Sequence, residues 1–391
     1  MQISVSYEAL LNTINGVSSV VEDAQNAEEM KNIIFKVEKG TSKVKLIGVN
    51  QYITFRSELP EFTYEVECDE AEFGGSDAYY MQMKSKELFQ FLNAFKGVRR
   101  TKVERVKLIV VQHKIKLVVV ESDLETGVER NSTLMSDNLP VKQSMLKVIS
   151  TETPKDNVLT EDSSKILMYT SSVLPIMQNG NSLYSSMVFG EDSVVAFNPA
   201  FTVLCTNMLC DVFKGITLPY RAVSFLKAVI GQLGGYISVV KTDAYICCFT
   251  DGVEAFIRYD RRVPDYSKYK ELCGREHAVS LDRLYFKDVL RRLCSSTDAV
   301  ELALDSEKGI FSIRNSRFEQ EIPIIQSKGL AELGTRVAFK ILPDVLNKVI
   351  IGEDSEFSNL LYIYITPTNN GGFNLMFTDD SGFWSAVART R

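Results

Sequence analysis

YISVVKTDAYICCFTDGVEAFIRY, residues 236–259, is the stretch on which the fold turns. Its β-branched and aromatic runs, interrupted by turn residues, predict antiparallel strands. What precedes it is of another kind. LPYRAVSFLKAVIG (218–231) places Val223, Leu226, Val229 and Ile230 on one helical face, with Pro in the first turn and Gly at the end. A helix followed by a strand group is a unit that can be looked for elsewhere in the chain.

It occurs twice more. SKELFQFLNAFKG (85–97) aligns Leu88, Phe91, Leu92 and Phe95 and leads into VKLIVVQHKIKLVVVES (106–122). ILPDVLNKVIIG (341–352) aligns Leu342, Val345, Leu346 and Val349 and leads into LYIYITPTNNGGFNLMFTDDSGFWSAVAR (361–389). Upstream of each pair lies another helix and another strand group. The helices carry Tyr7, Leu10, Leu11, Ile14 and Val17; Ile166, Leu167, Val173 and Leu174, ended by Pro175; and Leu281, Leu284, Tyr285, Val289 and Leu293. The strand groups span 32–59, 183–208 and 299–324, with hairpin turns at Lys39-Gly40, Gly190-Glu191-Asp192 and Lys308-Gly309. Three segments of the order helix, strands, helix, strands predict an α+β chain of three repeated domains, 1–150, 157–272 and 275–391. TETPKDN (151–157) and ELCGREH (271–277) are the expected links.

Composition narrows the class. The 391 residues are 45% hydrophobic, which is ordinary for a globular protein and too high for a disordered one. The formal net charge of −6 excludes a chain that holds polyanions simply by being basic, though not one with local basic patches. Seven Cys, without a basic-then-apolar start, predict reduced thiols in a cytoplasmic setting. No apolar run is long enough to suggest a membrane span.

Phe249-Thr250-Asp251-Gly252 through Arg261-Arg262-Val263-Pro264-Asp265-Tyr266 resembles the turn that closes the middle domain of bacterial DNA polymerase III beta subunits, the sliding clamps. There a Pro-Asp-Tyr follows a strand hairpin and precedes the third domain. That domain opens with a helix of the type of SLDRLYFKDVLRRLC (280–294), followed by strands such as ELALDSEKGIFSIRNSRFEQEIPI (301–324). The resemblance is low in identity but covers the chain in element order. Two places depart from the family. Ala196-Phe197-Asn198-Pro199-Ala200-Phe201-Thr202 stands where the family has Ala-Thr-Asp-Gly-His-Arg-Leu, and the chain ends Val387-Ala388-Arg389-Thr390-Arg391 where the family has Met-Pro and an apolar residue before a basic pair. Both touch the family's partner pocket, which implies a divergent clamp, of viral type, with its own partner peptide. Cys68-Asp69-Glu70-Ala71-Glu72 is an additional acidic surface loop.

The resemblance implies a homodimeric ring lined by helices, with duplex DNA passing through the hole. It also implies two protein partners, a DNA polymerase and a clamp loader. Such a ring turns weak phosphate contacts into a topological hold: sliding exchanges contacts, whereas release requires opening. The expected DNA-facing cations are Lys86, Lys96, Arg99, Arg100 and Lys102 on and after the helix at 85–97; Arg221 and Lys227 on the helix at 218–231; Arg283, Lys287 and Arg291 at i, i+4 and i+8; and Lys348 on the helix at 341–352. Like charges at that spacing repel by a few tenths of a kcal/mol per pair, which an anion facing them would relieve. A solvated charged face is the competing reading for any single helix. No cluster of Asn, Gln and Arg on one helix suggests base reading, so the expected contact is sequence-independent. Pro264 and Tyr266 match the family turn bordering the partner pocket, and Val387 is a further candidate; a plain core tyrosine is an equal reading for Tyr266.

No catalytic or metal constellation stands out. His113 and His277 are the only histidines, too few to favour a zinc site or a Ser-His-Asp triad, and no G-x-x-x-x-G-K loop occurs. A non-enzymatic protein without cofactor is expected. The readings set against the ring are a monomeric processivity factor of related fold and a virion or scaffold protein of repeated β-rich domains.

Overall fold

The computed structural model describes residues 1–21, 28–41, 43–98, 100–146, 158–159, 186–197, 201–206, 211–233, 237–250, 252–267, 274–293, 300–341, 346, 358–380 and 384–389. The elements run β1 (Gln2–Ser6), α1 (Tyr7–Val21), β2 (Asn32–Glu38), β3 (Val44–Val49), β4 (Ile53–Glu58), β5 (Tyr64–Glu67), β6 (Ala78–Lys84), α2 (Ser85–Asn93), β7 (Thr101–Val111), β8 (Lys114–Asp123) and β9 (Glu129–Asp137). They continue β10 (Val158–Leu159), β11 (Ser186–Phe189), β12 (Ser193–Phe197), β13 (Phe201–Thr206), β14 (Ile216–Pro219), α3 (Tyr220–Leu233), β15 (Ile237–Lys241), β16 (Tyr245–Thr250) and β17 (Val253–Arg258). Last come β18 (Ala278–Asp282), α4 (Arg283–Leu293), β19 (Val300–Asp305), β20 (Ile310–Arg314), β21 (Glu319–Pro323), β22 (Gln326–Lys328), β23 (Arg336–Ile341), β24 (Leu360–Pro367), β25 (Phe373–Thr378) and β26 (Trp384–Arg389).

Packing divides the chain into two compact units, one of Met1–Val158 with Ala228–Tyr259, the other of Leu159–Lys227 with Asp260–Arg391. Neither coincides with a predicted segment, because sheets run across the expected boundaries. In the first unit β17, from the middle segment, pairs with β4, from the first, with Ala255 opposite Phe55. That junction joins β15-β16-β17 to β4-β3-β2-β6. In the second unit β26 pairs with β13, with Thr202 opposite Val387, joining β14-β11-β12-β13 to β26-β25-β24-β18-β22. Each unit holds one further sheet, β5-β1-β7-β8-β9 in the first and β21-β20-β19-β23 in the second.

The helices follow the expected spacing. α1 buries Tyr7, Leu10, Leu11, Ile14 and Val17 and packs on β3 and β4. Gly48 on β3 lies against it so closely that a Cβ there would come within 2.9 Å of Val17. α2 ends at Asn93, before the predicted Gly97, and buries Leu88 and Leu92. α3 continues past Gly231 to Leu233 and buries Val223 and Leu226. The turns at Lys39-Gly40 and Lys308-Gly309 form as predicted, with Gly40 at φ 81° and Gly309 at φ 65°, where glycine has no steric penalty. His113, within the stretch 106–122 read as strands, lies in the exposed turn between β7 and β8 and not in a strand. The helix predicted over 166–174 and most of that over 341–352, Lys348 included, lie outside the described residues. Among the described residues no helix is long and apolar enough to cross a membrane.

Candidate nucleic-acid and partner interfaces

α4 begins at Asp282, whose carboxylate accepts the backbone N–H of Tyr285 at 2.8 Å, the bond of a helix N-cap. Phe286, Val289 and Leu290 then form the buried stripe. Arg283 stands three and seven residues before Phe286 and Leu290, so the helix carries it into the same stripe. It is 1% exposed; its Nε donates to the Ser358 carbonyl at 2.9 Å, and its backbone N–H to the Asn359 carbonyl at 2.8 Å. The expected row of Arg283, Lys287 and Arg291 is therefore corrected: Arg283 is a packed residue that ties the helix to the start of β24. Lys287 is half-buried. Arg291 is exposed, 3.3 Å from Asp288, and Arg292 beside it is also exposed. Both arginines occupy the last turn, where positive charge also complements the helix dipole.

In the first unit Lys86 on α2, Lys96 in the turn after it, Arg100, and Lys102 at the start of β7 are all exposed. Arg99 lies outside the described residues. Arg221 opens α3 and is half-buried; Lys227 is in α3, and its side chain is outside the described residues. α1 carries no Lys or Arg, only Glu8 among charged groups. The described helices thus do not share one charge pattern. The cations gather after α2 and along α4.

The residues expected at a partner pocket, Pro264, Tyr266 and Val387, lie in the second unit. Asp260 and Thr217 exchange backbone hydrogen bonds at 2.8 and 2.9 Å, and the Thr217 hydroxyl donates to the Arg262 carbonyl at 2.8 Å. Arg262 in turn donates to the Asp260 carboxylate at 2.7 Å, which lowers that carboxyl below its ordinary pKa. These bonds fasten the extended segment to β14, with Pro264 half-buried in it and Tyr266 reaching β11 and β12. The Tyr266 ring packs on Val188, Val195 and Leu204, and its hydroxyl donates to Asp192 at 3.4 Å. Burial first, then the charge of Asp192, raises the phenol pKa. Gly190 acquires a role beyond the turn read from sequence: a Cβ there would lie 1.7 Å from the Tyr266 hydroxyl oxygen.

Val387 is 2% exposed and packs with Met376 and Tyr364. Val188 is opposite Val195, Val195 opposite Leu204, Thr202 opposite Val387, Val387 opposite Met376 and Met376 opposite Tyr364. Since alternate residues of a strand share a face, Tyr266 and Val387 belong to one apolar sheet face. Met376, Tyr364 and Leu204 were missed in sequence, because the register that unites them joins strands far apart in the chain. Arg275 lies over the Tyr364 ring at 5.9 Å.

The first unit repeats this junction with other chemistry. Ile34, Ile47 and Arg56 stand opposite one another as Val188, Val195 and Leu204 do. The chain's own Val141, Met145 and Leu146 cover Ile34 and Ile47. Arg56, in the place of Leu204, pairs with Glu254 at 3.3 Å and lies over Phe256 at 5.0 Å. Lys45 meets Glu58 at 2.8 Å. Burial acts to raise the Glu58 carboxyl, but the Lys45 hydrogen bond and charge outweigh it and hold the pKa below the ordinary value. A cavity of about 360 Å3 lies here, lined by Lys45, Arg56, Glu58, Ser238, Phe249 and Glu254 among others. Among the described residues, the second unit's junction thus carries an apolar face and the first unit's a charged one.

No family model matches the sequence, and no curated protein matches it. Solved structures do. The DNA polymerase III subunit beta from Pseudomonas aeruginosa superposes with a TM-score of 0.72 at 14% identity, covering 100% of both chains. A putative beta subunit from Eubacterium rectale gives 0.73 at 13%, covering 100% of this chain and 99% of that one. The beta subunit from Borrelia burgdorferi gives 0.73 at 12%, covering 100% and 98%. The chain has the sliding-clamp fold from end to end.

Proposed function

We propose that this protein is a DNA sliding clamp, a processivity factor without catalytic activity of its own, that encircles duplex DNA and tethers a replicative polymerase. The observation that carries the reading is the end-to-end match with beta subunits, in which neither chain leaves a domain over. In this reading the three repeated segments, 1–150, 157–272 and 275–391, are three clamp domains. Lys86, Lys96, Arg100, Lys102, Lys287 and Arg291 meet phosphates without reading bases. A separate loader opens the ring. The monomeric and scaffold readings gain no observation in their favour.

Two copies close the ring. In the first unit β9 is an edge strand, and Leu124, Val128 and Met135 on its hairpin are 62%, 55% and 48% exposed. In the second, β21 is an edge strand, and Leu284 and Tyr285 nearby on α4 are 37% and 36% exposed, with the Gln320 amide donating to the Tyr285 hydroxyl at 2.8 Å. Unpaired edges invite pairing. Two unlike patches that meet across a twofold axis satisfy each other twice and leave none open.

The apolar face around Tyr266 and Val387 receives the polymerase peptide. Primer extension on singly primed circular DNA tests the reading. Wild-type protein should lengthen the product made per polymerase binding event, and Tyr266→Ala should lose most of that stimulation while remaining on DNA. No stimulation by wild type with any replicative polymerase from the same replication system would reject the function. Equal stimulation by both proteins would reject the pocket.

A further inference from the structure

Phe62 has no part in the clamp reading. Its side chain is fully exposed, at 101% of the reference area, the most exposed of the large apolar residues described. It occupies the third position of the turn Pro60–Thr63, closed by Thr63 N–H donating to the Pro60 carbonyl at 3.2 Å. Its φ is 66°, the left-handed value that such a turn normally assigns to glycine. Packing therefore does not account for the ring, and the turn would form more easily without it. Single exposed apolar residues are common, but a phenyl ring at an unfavourable φ with no intramolecular contact to gain is an outlier of the kind that collects at binding sites.

The surroundings specify the partner. From Ser57 to Met83 the sequence has eight carboxylates and no Lys or Arg. Glu61, Glu65, Glu67, Asp69, Glu70 and Glu72 are all exposed around the turn. Two are engaged locally: Glu67 accepts from Gln2 at 2.9 Å, and Glu72 pairs with the N-terminal amine. Across β1, Lys107 faces Ser4 as Glu65 does from the other side, and exposed Arg105 faces Ser6, whose N–H donates to the Thr63 carbonyl; the carboxylates still outnumber these two cations. β5, immediately after the turn, is an edge strand with β1 on one side only. The result is one apolar knob in a strongly negative field, which repels DNA and attracts a positive protein segment.

We propose that Phe62 anchors a second docking surface, distinct from the Tyr266 face, for a basic protein segment whose apolar side chains enclose the phenyl ring while its Lys or Arg residues meet Glu61 and Glu65. Interface hot spots are typically large anchors enclosed by the partner and shielded from water, and complementary charge around them steers the encounter.

The probe is a phage-displayed library of random 12-residue peptides, selected on the full-length protein and counter-selected on Phe62→Gly. Glycine suits the left-handed turn, so Phe62→Gly should melt no lower than wild type, which keeps the comparison between folded proteins. The expected winners combine Lys or Arg with Leu, Met or aromatic residues. They lose at least tenfold in affinity on Phe62→Gly, and again on Glu61→Lys with Glu65→Lys. Failure to recover any Phe62-dependent peptide overturns the proposal. So does recovery of Phe62-dependent peptides that are acidic or uncharged.

Discussion

Gly190 and Tyr266 show what one missing methyl group can decide. With the Tyr266 hydroxyl oxygen 1.7 Å from where a Cβ would lie, Gly190→Ala must expel the ring from Val188, Val195 and Leu204. Such overpacking costs about 1–3 kcal/mol. The predicted result is a lower urea midpoint and a polymerase-stimulation defect like that of Tyr266→Ala. Arg283 and Arg291 differ in the opposite sense, being the same residue type on the same helix with different destinations. Arg283→Ala removes a buried guanidinium and its bond to the Ser358 carbonyl, with an expected loss of about 1–3 kcal/mol in denaturation and no specific effect on DNA. Lys287→Glu with Arg291→Glu should leave the melting temperature within a few degrees and weaken DNA retention. DNA retention unchanged by that pair would remove α4 from the DNA-facing set. The sequence spacing i, i+4, i+8 suggested a single cationic row. Arg283 also stands at i, i+3, i+7 with Phe286 and Leu290, a relation equally visible in the sequence, and burial of that stripe takes it out of the row.

At the scale of elements, local order was legible and long-range pairing was not. Tyr7, Leu10, Leu11, Ile14 and Val17 announced α1 because helical periodicity is a local signal. The β4–β17 and β13–β26 junctions could not be read, since their partners are some two hundred residues apart and register is settled only in the folded sheet. These junctions also hold the features that sequence missed, apolar in the second unit and charged in the first. The charged one has a pH signature. The folded-state pKa of Glu58 lies below its unfolded value, so the stabilisation it contributes is complete above the unfolded pKa and is lost as pH falls through the folded one. Denaturation of wild type and Glu58→Gln should therefore differ by roughly 1 kcal/mol at neutral pH, the scale of a partly exposed ion pair. The gap should close in acid, below the ordinary carboxylate range of about 4. A difference independent of pH would deny the Lys45–Glu58 pair its role.

Over the whole molecule the order of elements was legible enough to suggest a repeated α+β chain with the clamp arrangement, and the fold matches solved beta subunits at 12–14% identity. Identity that low preserves the apolar periodicities which build the sheets and leaves other positions free to diverge. The run Ala196–Thr202 and the C-terminal residues both depart from the family's sequence pattern. A formal charge of −6 argues against a hold by bulk attraction, and a topological hold asks only for local cationic contacts. The decisive measurement is retention of the loaded protein on nicked circular DNA, at a salt concentration high enough to screen phosphate contacts, before and after a single restriction cut. The account predicts that the protein stays on the circle and runs off once the DNA is linear. Equal retention on both forms, or release from the circle as salt rises, would contradict encirclement.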